Sequence, residues 1–258
     1  MKHFTIVGNW KMHQAPEQAE RLVGKLQEKV KPQTHVTTVL CPPFVSLPAV
    51  AKKAEKDVFR VGAQNLHPQD EGAFTGEVSG PMLKDLCEYV IIGHSERRRD
   101  EGETDKLISQ KVAAAIRNGL KPVLCIGEKL DDRQEGHSKR VINDQLHGCL
   151  SQITDDDLAD VIICYEPVWA ISTGDGHGTF AKPGDVKEML SQIRHIVEEL
   201  FGEGASSQVK LLYGGSVNKD DCEAYLELEH CDGLLVGGAS LKPEEFPAII
   251  ESAAKLAK

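Results

Sequence analysis

Short apolar runs alternate along this chain with longer segments of helical period, and nothing else constrains its fold as tightly. The runs fall at 4–8, 36–40, 58–63, 89–93, 122–126, 161–165, 209–213 and 233–236. Helices are expected at about 16–30, 46–55, 81–86, 104–118, 183–201, 219–228 and 244–256, with a polar, helix-prone stretch running to 150. Asn118-Gly119 is a good C-terminal stop for one of them. Strict strand–helix alternation requires parallel strands, each covered by its crossover helix. Eight such units in 258 residues match the count and length of a closed (β/α)8 barrel. No linker, low-complexity tract or change of composition marks a boundary, so residues 1–258 read as one α/β barrel domain. A doubly wound open sheet is the competing architecture. It calls for a glycine-rich turn after the first strand, and Gly8-Asn9-Trp10-Lys11 is not one. Gly174-Asp175-Gly176-His177-Gly178 also lacks that spacing and reads as a surface loop.

Charge and cysteine content narrow the partners. A net charge of −10 leaves no basic excess to displace counterions from nucleic acid, while a small anionic substrate remains compatible with a locally positive site. Arg97-Arg98-Arg99 is the one dense basic run, and its acidic neighbours make it a salt-bridged surface. The seven cysteines form no C-x-x-C pair and the ten histidines no H-x-x-x-H pair, so neither a metal site nor a disulfide framework is expected. Met1 leads directly into a strand-like run and no apolar stretch reaches membrane-spanning length. A cytoplasmic protein with no membrane partner is expected.

In a barrel the C-terminal ends of all strands converge on one face, where active sites lie. The residues there are Asn9 and Lys11, Gln64 and Asn65, His94 and Glu96, Glu128, Glu166, then Gly214-Gly215-Ser216 and Gly237-Gly238. Glu166 ends a buried run and is followed by Pro167 and a small-residue loop to Gly174, the pattern of a base beside a lid. Asp and Glu also end strands without any catalytic duty. Two glycine pairs after the last two strands admit a ligand close to backbone N–H groups, which favours a phosphate over a pair of ordinary turns. Lys11 suits an anionic ligand or developing oxyanion, although most lysines are simply solvated. His94 precedes a short helical turn, whose N-terminus disfavours the imidazolium. Glu96 has the ordinary reading of a first-turn helix acid. A carboxylate base, a neutral histidine, a lysine and a phosphate cradle suit proton abstraction beside the carbonyl of a small phosphorylated sugar.

At these residues the chain resembles the triose-phosphate isomerase family along nearly its whole length. The resemblance is carried by Gly8-Asn9-Trp10-Lys11-Met12, Gly62-Ala63-Gln64-Asn65, Gly72-Ala73-Phe74-Thr75-Gly76-Glu77 and Ile91-Ile92-Gly93-His94-Ser95-Glu96-Arg97-Arg98. It continues through Cys125-Ile126-Gly127-Glu128, the segment from Tyr165 to Gly174, Tyr213-Gly214-Gly215-Ser216-Val217 and Asp232 to Leu241. The resemblance implies a TIM barrel that interconverts glyceraldehyde 3-phosphate and dihydroxyacetone phosphate through an enediolate, without a cofactor. It makes Glu166 the base, His94 the electrophile, and Asn9 and Lys11 the groups that stabilise oxygen charge. It gives the phosphate to Lys11 and to the backbone N–H groups of Ser172, Ser216, Gly237 and Gly238, with Ile171 and Leu235 flanking the base. It also implies a homodimer in which the loop from Asn65 to Glu77 reaches the neighbouring site. There Thr75 would support the partner's Asn9–Lys11 region and Glu77 would pair with an arginine such as Arg98. Ser172 stands where the family lid normally has glycine, so altered lid movement with intact chemistry is expected. A Schiff-base aldolase using Lys11, and a catalytically silent phosphometabolite-binding barrel, are the alternatives.

Overall fold

The computed structural model describes residues 1–171 and 180–257. Eight parallel strands close into a barrel in chain order. They are β1 (Phe4–Asn9), β2 (Val36–Cys41), β3 (Arg60–Ala63), β4 (Tyr89–Ile92), β5 (Lys121–Ile126), β6 (Ile162–Tyr165), β7 (Lys210–Tyr213) and β8 (Gly233–Val236). Helices α1 (Pro16–Lys29), α2 (Leu47–Lys53) and α3 (Gly80–Leu83) follow the first three strands, and α4 (Ser95–Asp100) and α5 (Asp105–Arg117) the fourth. Helices α6 (Leu130–Gln134) and α7 (Ser138–Cys149) follow β5, and α8 (Pro183–Ser206), α9 (Cys222–Leu226) and α10 (Phe246–Leu256) the last three. No described helix is long and apolar enough to cross a membrane.

The strands are apolar on both faces because both faces are covered. Phe4, Ile6, Leu40, Ile92, Leu124 and Ile163 point outward into the layer under the helices. Val7, Val39, Tyr89, Ile91, Val123, Cys125, Ile162, Cys164, Leu212 and Leu235 point inward and fill the barrel. This period of two carries the site. Asn9 continues the inward series of Val7, and Glu166 continues that of Ile162 and Cys164, so both emerge at the barrel mouth. His94 lies out of step with Tyr89 and Ile91. Gly93, at φ +70°, turns the chain after β4 and brings the imidazole back over the mouth.

The expected elements are present with ends moved by a few residues. The polar stretch before residue 150 is two helices, α6 and α7. Helix α8 runs past the expected stop at 201 to Ser206, with a break at Gly202, whose φ is +83°. The sequence pattern ends where the chain bends, and one more turn follows the bend. Gly119 takes the left-handed stop after α5 at φ +72°.

Candidate active site

The mouth of the barrel holds a cavity of about 300 Å³ lined by Asn9, Lys11, His94, Glu166, Ile171, Gly214 to Asn218, Leu235, Gly237 and Gly238, among others. Beside it a second hollow of about 330 Å³ shares Asn9, Lys11 and His94 and adds Gln64, Asn65 and Glu96. Residues from five strand ends, distant in sequence, thus face the first cavity, and the second adds the end of β3.

Lys11 reaches that volume through a strained backbone, at φ +51°. A left-handed non-glycine residue costs about 1–2 kcal/mol, so something must hold it. Its N–H donates to Asn9 Oδ1 at 3.0 Å, and its carbonyl accepts from Gln64 Nε2 at 2.9 Å. Gln64 Nε2 also donates to the Cys41 carbonyl at 2.8 Å, tying the ends of β1 and β2 together. Trp10 is wholly buried, which anchors the chain just before the turn. At the tip, Lys11 Nζ lies 2.7 Å from Glu96 Oε1. Glu96 therefore aims the ammonium, and Gln64, expected only as a strand-end residue, is a positioning residue.

His94 caps α4. Its Nδ1 accepts the Glu96 N–H at 3.3 Å, which leaves the ring proton on Nε2, 3.2 Å from Glu166 Oε1. Burial pushes the imidazole toward neutrality, but the adjacent Glu166 carboxylate, and then Glu96, raise its pKa above the ordinary histidine value. This is opposite to the effect expected from the helix N-terminus alone. The cause is Glu166 resting against the ring.

Glu166 is 2% exposed, and its Oε2 also accepts the Ser95 N–H at 3.4 Å. Its own N–H donates to the Ile126 carbonyl at 2.8 Å. Two glycines shape the space around it. A Cβ on Gly127 would overlap the Glu166 carbonyl oxygen, and one on Gly214 would lie 2.7 Å from Glu166 Cγ. Gln145 of α7 grips Gly127 from outside, accepting its N–H at 2.8 Å and donating to its carbonyl at 3.1 Å. Nothing in the sequence marks Gln145, a polar residue within a polar helix.

The two glycine pairs differ. Gly214 makes room for Glu166, and a Cβ on Gly215 would collide with the Tyr213 phenol. Gly238 opens onto free space, and a Cβ on Gly237 would come within 3.8 Å of Lys11 Cε. Only the second pair leaves open backbone beside a cation. The Ser216 N–H, expected on a phosphate, donates to the Ala170 carbonyl at 3.0 Å in this conformation. Ser172 lies outside the described residues. Ile171 and Leu235 are buried on the cavity wall.

Other expected residues lie elsewhere. Glu128 does not line the cavity; it is fully buried, with Oε1 accepting from Trp169 Nε1 at 2.8 Å and Tyr165 Oη at 3.1 Å. Burial raises its pKa against the pull of those hydrogen bonds. Thr75 and Glu77 are exposed on their loop. Asn65 does not share that exposure. It is buried, and its Oδ1 accepts from Lys111 Nζ at 2.8 Å. Arg98 is held within its own chain by Asp105 at 2.6 Å and by the carbonyls of Gly93 and Cys125 at 2.8 and 3.1 Å. Those bonds make Arg98 a staple of the barrel mouth in its own chain.

The family model described as triosephosphate isomerase matches residues 4–253. A triosephosphate isomerase of Symbiobacterium thermophilum is 43% identical over 251 residues, covering 97% of this chain and 96% of that protein. One of Carboxydothermus hydrogenoformans is 44% identical over 247 residues, covering 95% and 97%. One of Dictyoglomus turgidum is 41% identical over 253 residues, covering 98% and 100%. With the barrel closed and its mouth so furnished, this chain belongs to the triosephosphate isomerase family.

Proposed function

We propose that the protein interconverts D-glyceraldehyde 3-phosphate and dihydroxyacetone phosphate through an enediolate. The observation that carries this reading is the contact of Glu166 with His94 Nε2 in a buried cavity, with Lys11 and the open Gly237-Gly238 backbone on its wall. Substrate enters between the two side chains. Glu166 removes a proton from the carbon beside the carbonyl and returns it to the neighbouring carbon. His94 donates its Nε2 proton toward the carbonyl oxygen, while Asn9 and Lys11 stabilise the negative charge that develops there. Departure of Glu166 from the ring removes the main influence raising the His94 pKa. The Glu96 N–H on Nδ1 then favours a neutral ring as the electrophile.

Lys11 and the N–H groups of Gly237 and Gly238 hold the phosphate. Ser216 joins them once its bond to Ala170 breaks, and Ser172 joins from the lid. Ile171 and Leu235 then keep water from the base, which strengthens every charge interaction inside. The pairing of Lys11 with Glu96 weighs against the Schiff-base alternative, since an ammonium held by a carboxylate suits charge neutralisation.

The test is solvent-deuterium incorporation into dihydroxyacetone phosphate. Native protein should exchange the C1 proton rapidly, and Glu166→Gln should be slower by roughly 10²–10⁴-fold. Exchange at a near-native rate in Glu166→Gln would falsify the assignment.

The chain is proposed to work as a homodimer. Met12, Val45, Phe74 and Met82 are large apolar side chains with 45% to 92% of their surface exposed, and all lie on the segments leaving the first three strands. In this reading the second hollow, lined by Lys11 and Glu96, takes Thr75 of another copy.

A further inference from the structure

Directly beneath Glu166 lie two thiols that the proposed chemistry does not use. Cys125 and Cys164 are register partners on β5 and β6, and both side chains point into the barrel. Their sulfurs and a Glu166 carboxylate oxygen all lie within 4.8 Å of one another. Gly214 bounds the same space, since a Cβ there would sit 2.6 Å from Cys164 Sγ and 2.7 Å from Glu166 Cγ.

We propose that Cys125, Cys164 and Glu166 form a binding site for a thiophilic divalent cation of the zinc class, and that its occupation disables the active site by capturing Glu166. The donor set is two soft sulfurs and one carboxylate, three of the four ligands that a tetrahedral zinc takes. Zinc–sulfur bonds of about 2.3 Å and zinc–oxygen bonds of about 2.0–2.2 Å place tetrahedral ligands roughly 3.5–3.8 Å apart. The present spread, within 4.8 Å, closes to that by movements on the order of an ångström. The fourth position falls to water or to His94 Nε2, already 3.2 Å from Glu166 Oε1. Zinc binds cysteine as the thiolate, so binding releases a proton from each thiol. The remaining described cysteines are buried elsewhere and share no such three-ligand group among the described residues.

The loss of activity rests on Glu166 being the base, whereas cation binding itself does not. The experiment adds zinc chloride to the full-length protein and measures stoichiometry, proton release, zinc-edge X-ray absorption and isomerase rate. One ion per chain, two protons released and a shell of two sulfurs at about 2.3 Å are expected, with a rate that falls in step and returns on chelation. Cys164→Ala should weaken binding roughly a hundredfold or more, each variant being compared with its own zinc-free rate. A shell with one sulfur or none overturns the site, and needs no variant to fold. So does a folded Cys164→Ala protein that binds and is inhibited like the native one. A two-sulfur shell with an unaltered rate supports the cation site and counts against Glu166 as the base.

Discussion

At the scale of single residues, the site is a set of mutual constraints around one carboxylate. Glu166 touches His94 and the Ser95 N–H, and leans on two glycines whose missing Cβ atoms make its position possible. The contact with His94 has a measurable electrostatic consequence. Burial lowers the imidazole pKa, and the neighbouring carboxylates outweigh it. In Glu166→Gln the largest raising influence is gone, so His94 should titrate at lower pH than in native protein, as read by nitrogen-15 NMR of the ring. An unchanged titration would sink this account. The sign for stability follows. A histidine whose native pKa is raised stabilises the fold fully below its unfolded value of about 6.5, and that contribution is lost as pH rises through the native value. Glu166, His94 and Lys11 were all legible in the sequence, because strand ends and residue chemistry name them. Gln64 was named there only as a strand-end residue. Its grip on the Lys11 carbonyl depends on a side chain crossing between two strands, which has no local signature.

At the scale of elements, period-two alternation explains most of the architecture, and the deviations have identifiable causes. The hydrophobic pattern of α8 stops where Gly202 breaks the helix, and the extra turn to Ser206 is polar enough to escape the pattern. The most consequential contact between elements is Gln145 of α7 on the backbone of Gly127. It pairs both the N–H and the carbonyl of buried Gly127, the residue that abuts the Glu166 carbonyl. Gln145→Leu leaves a buried donor and acceptor without partners, at about 1–3 kcal/mol for each unsatisfied group. Thermal unfolding should show that loss, and kcat should fall more than KM changes, because the base shifts while the phosphate grip stays. A variant with native melting temperature and native kcat would mean that Gln145 positions nothing.

At the scale of the whole molecule, the exposed apolar residues and the hollow beside Lys11 are the surface of the proposed dimer. Lys11 is strained and its aim depends on Glu96, so an inserted loop from a partner would steady both. Thr75→Arg is expected to yield monomer in sedimentation equilibrium, with kcat reduced roughly a hundredfold by misplacement of Lys11. A dimer of native strength, or a monomer of native activity, would remove the proposed role of that loop.

The sequence by itself determined the eight strand–helix units, their parallel order and the chemistry gathered at the barrel mouth. Those properties depend on local periodicity and on residue type at the ends of the runs, both of which are written along the chain. Only the tertiary structure decided which glycine serves which neighbour, that Ser216 bonds to Ala170, and that Asn65 and Arg98 are taken up within their own chain. It alone placed Cys125 and Cys164 beneath Glu166, where a search for local cysteine spacing finds nothing. The physical reason is common to all of these. They are contacts among strands, helices and the segments at the barrel mouth, fixed by barrel register and by packing in three dimensions.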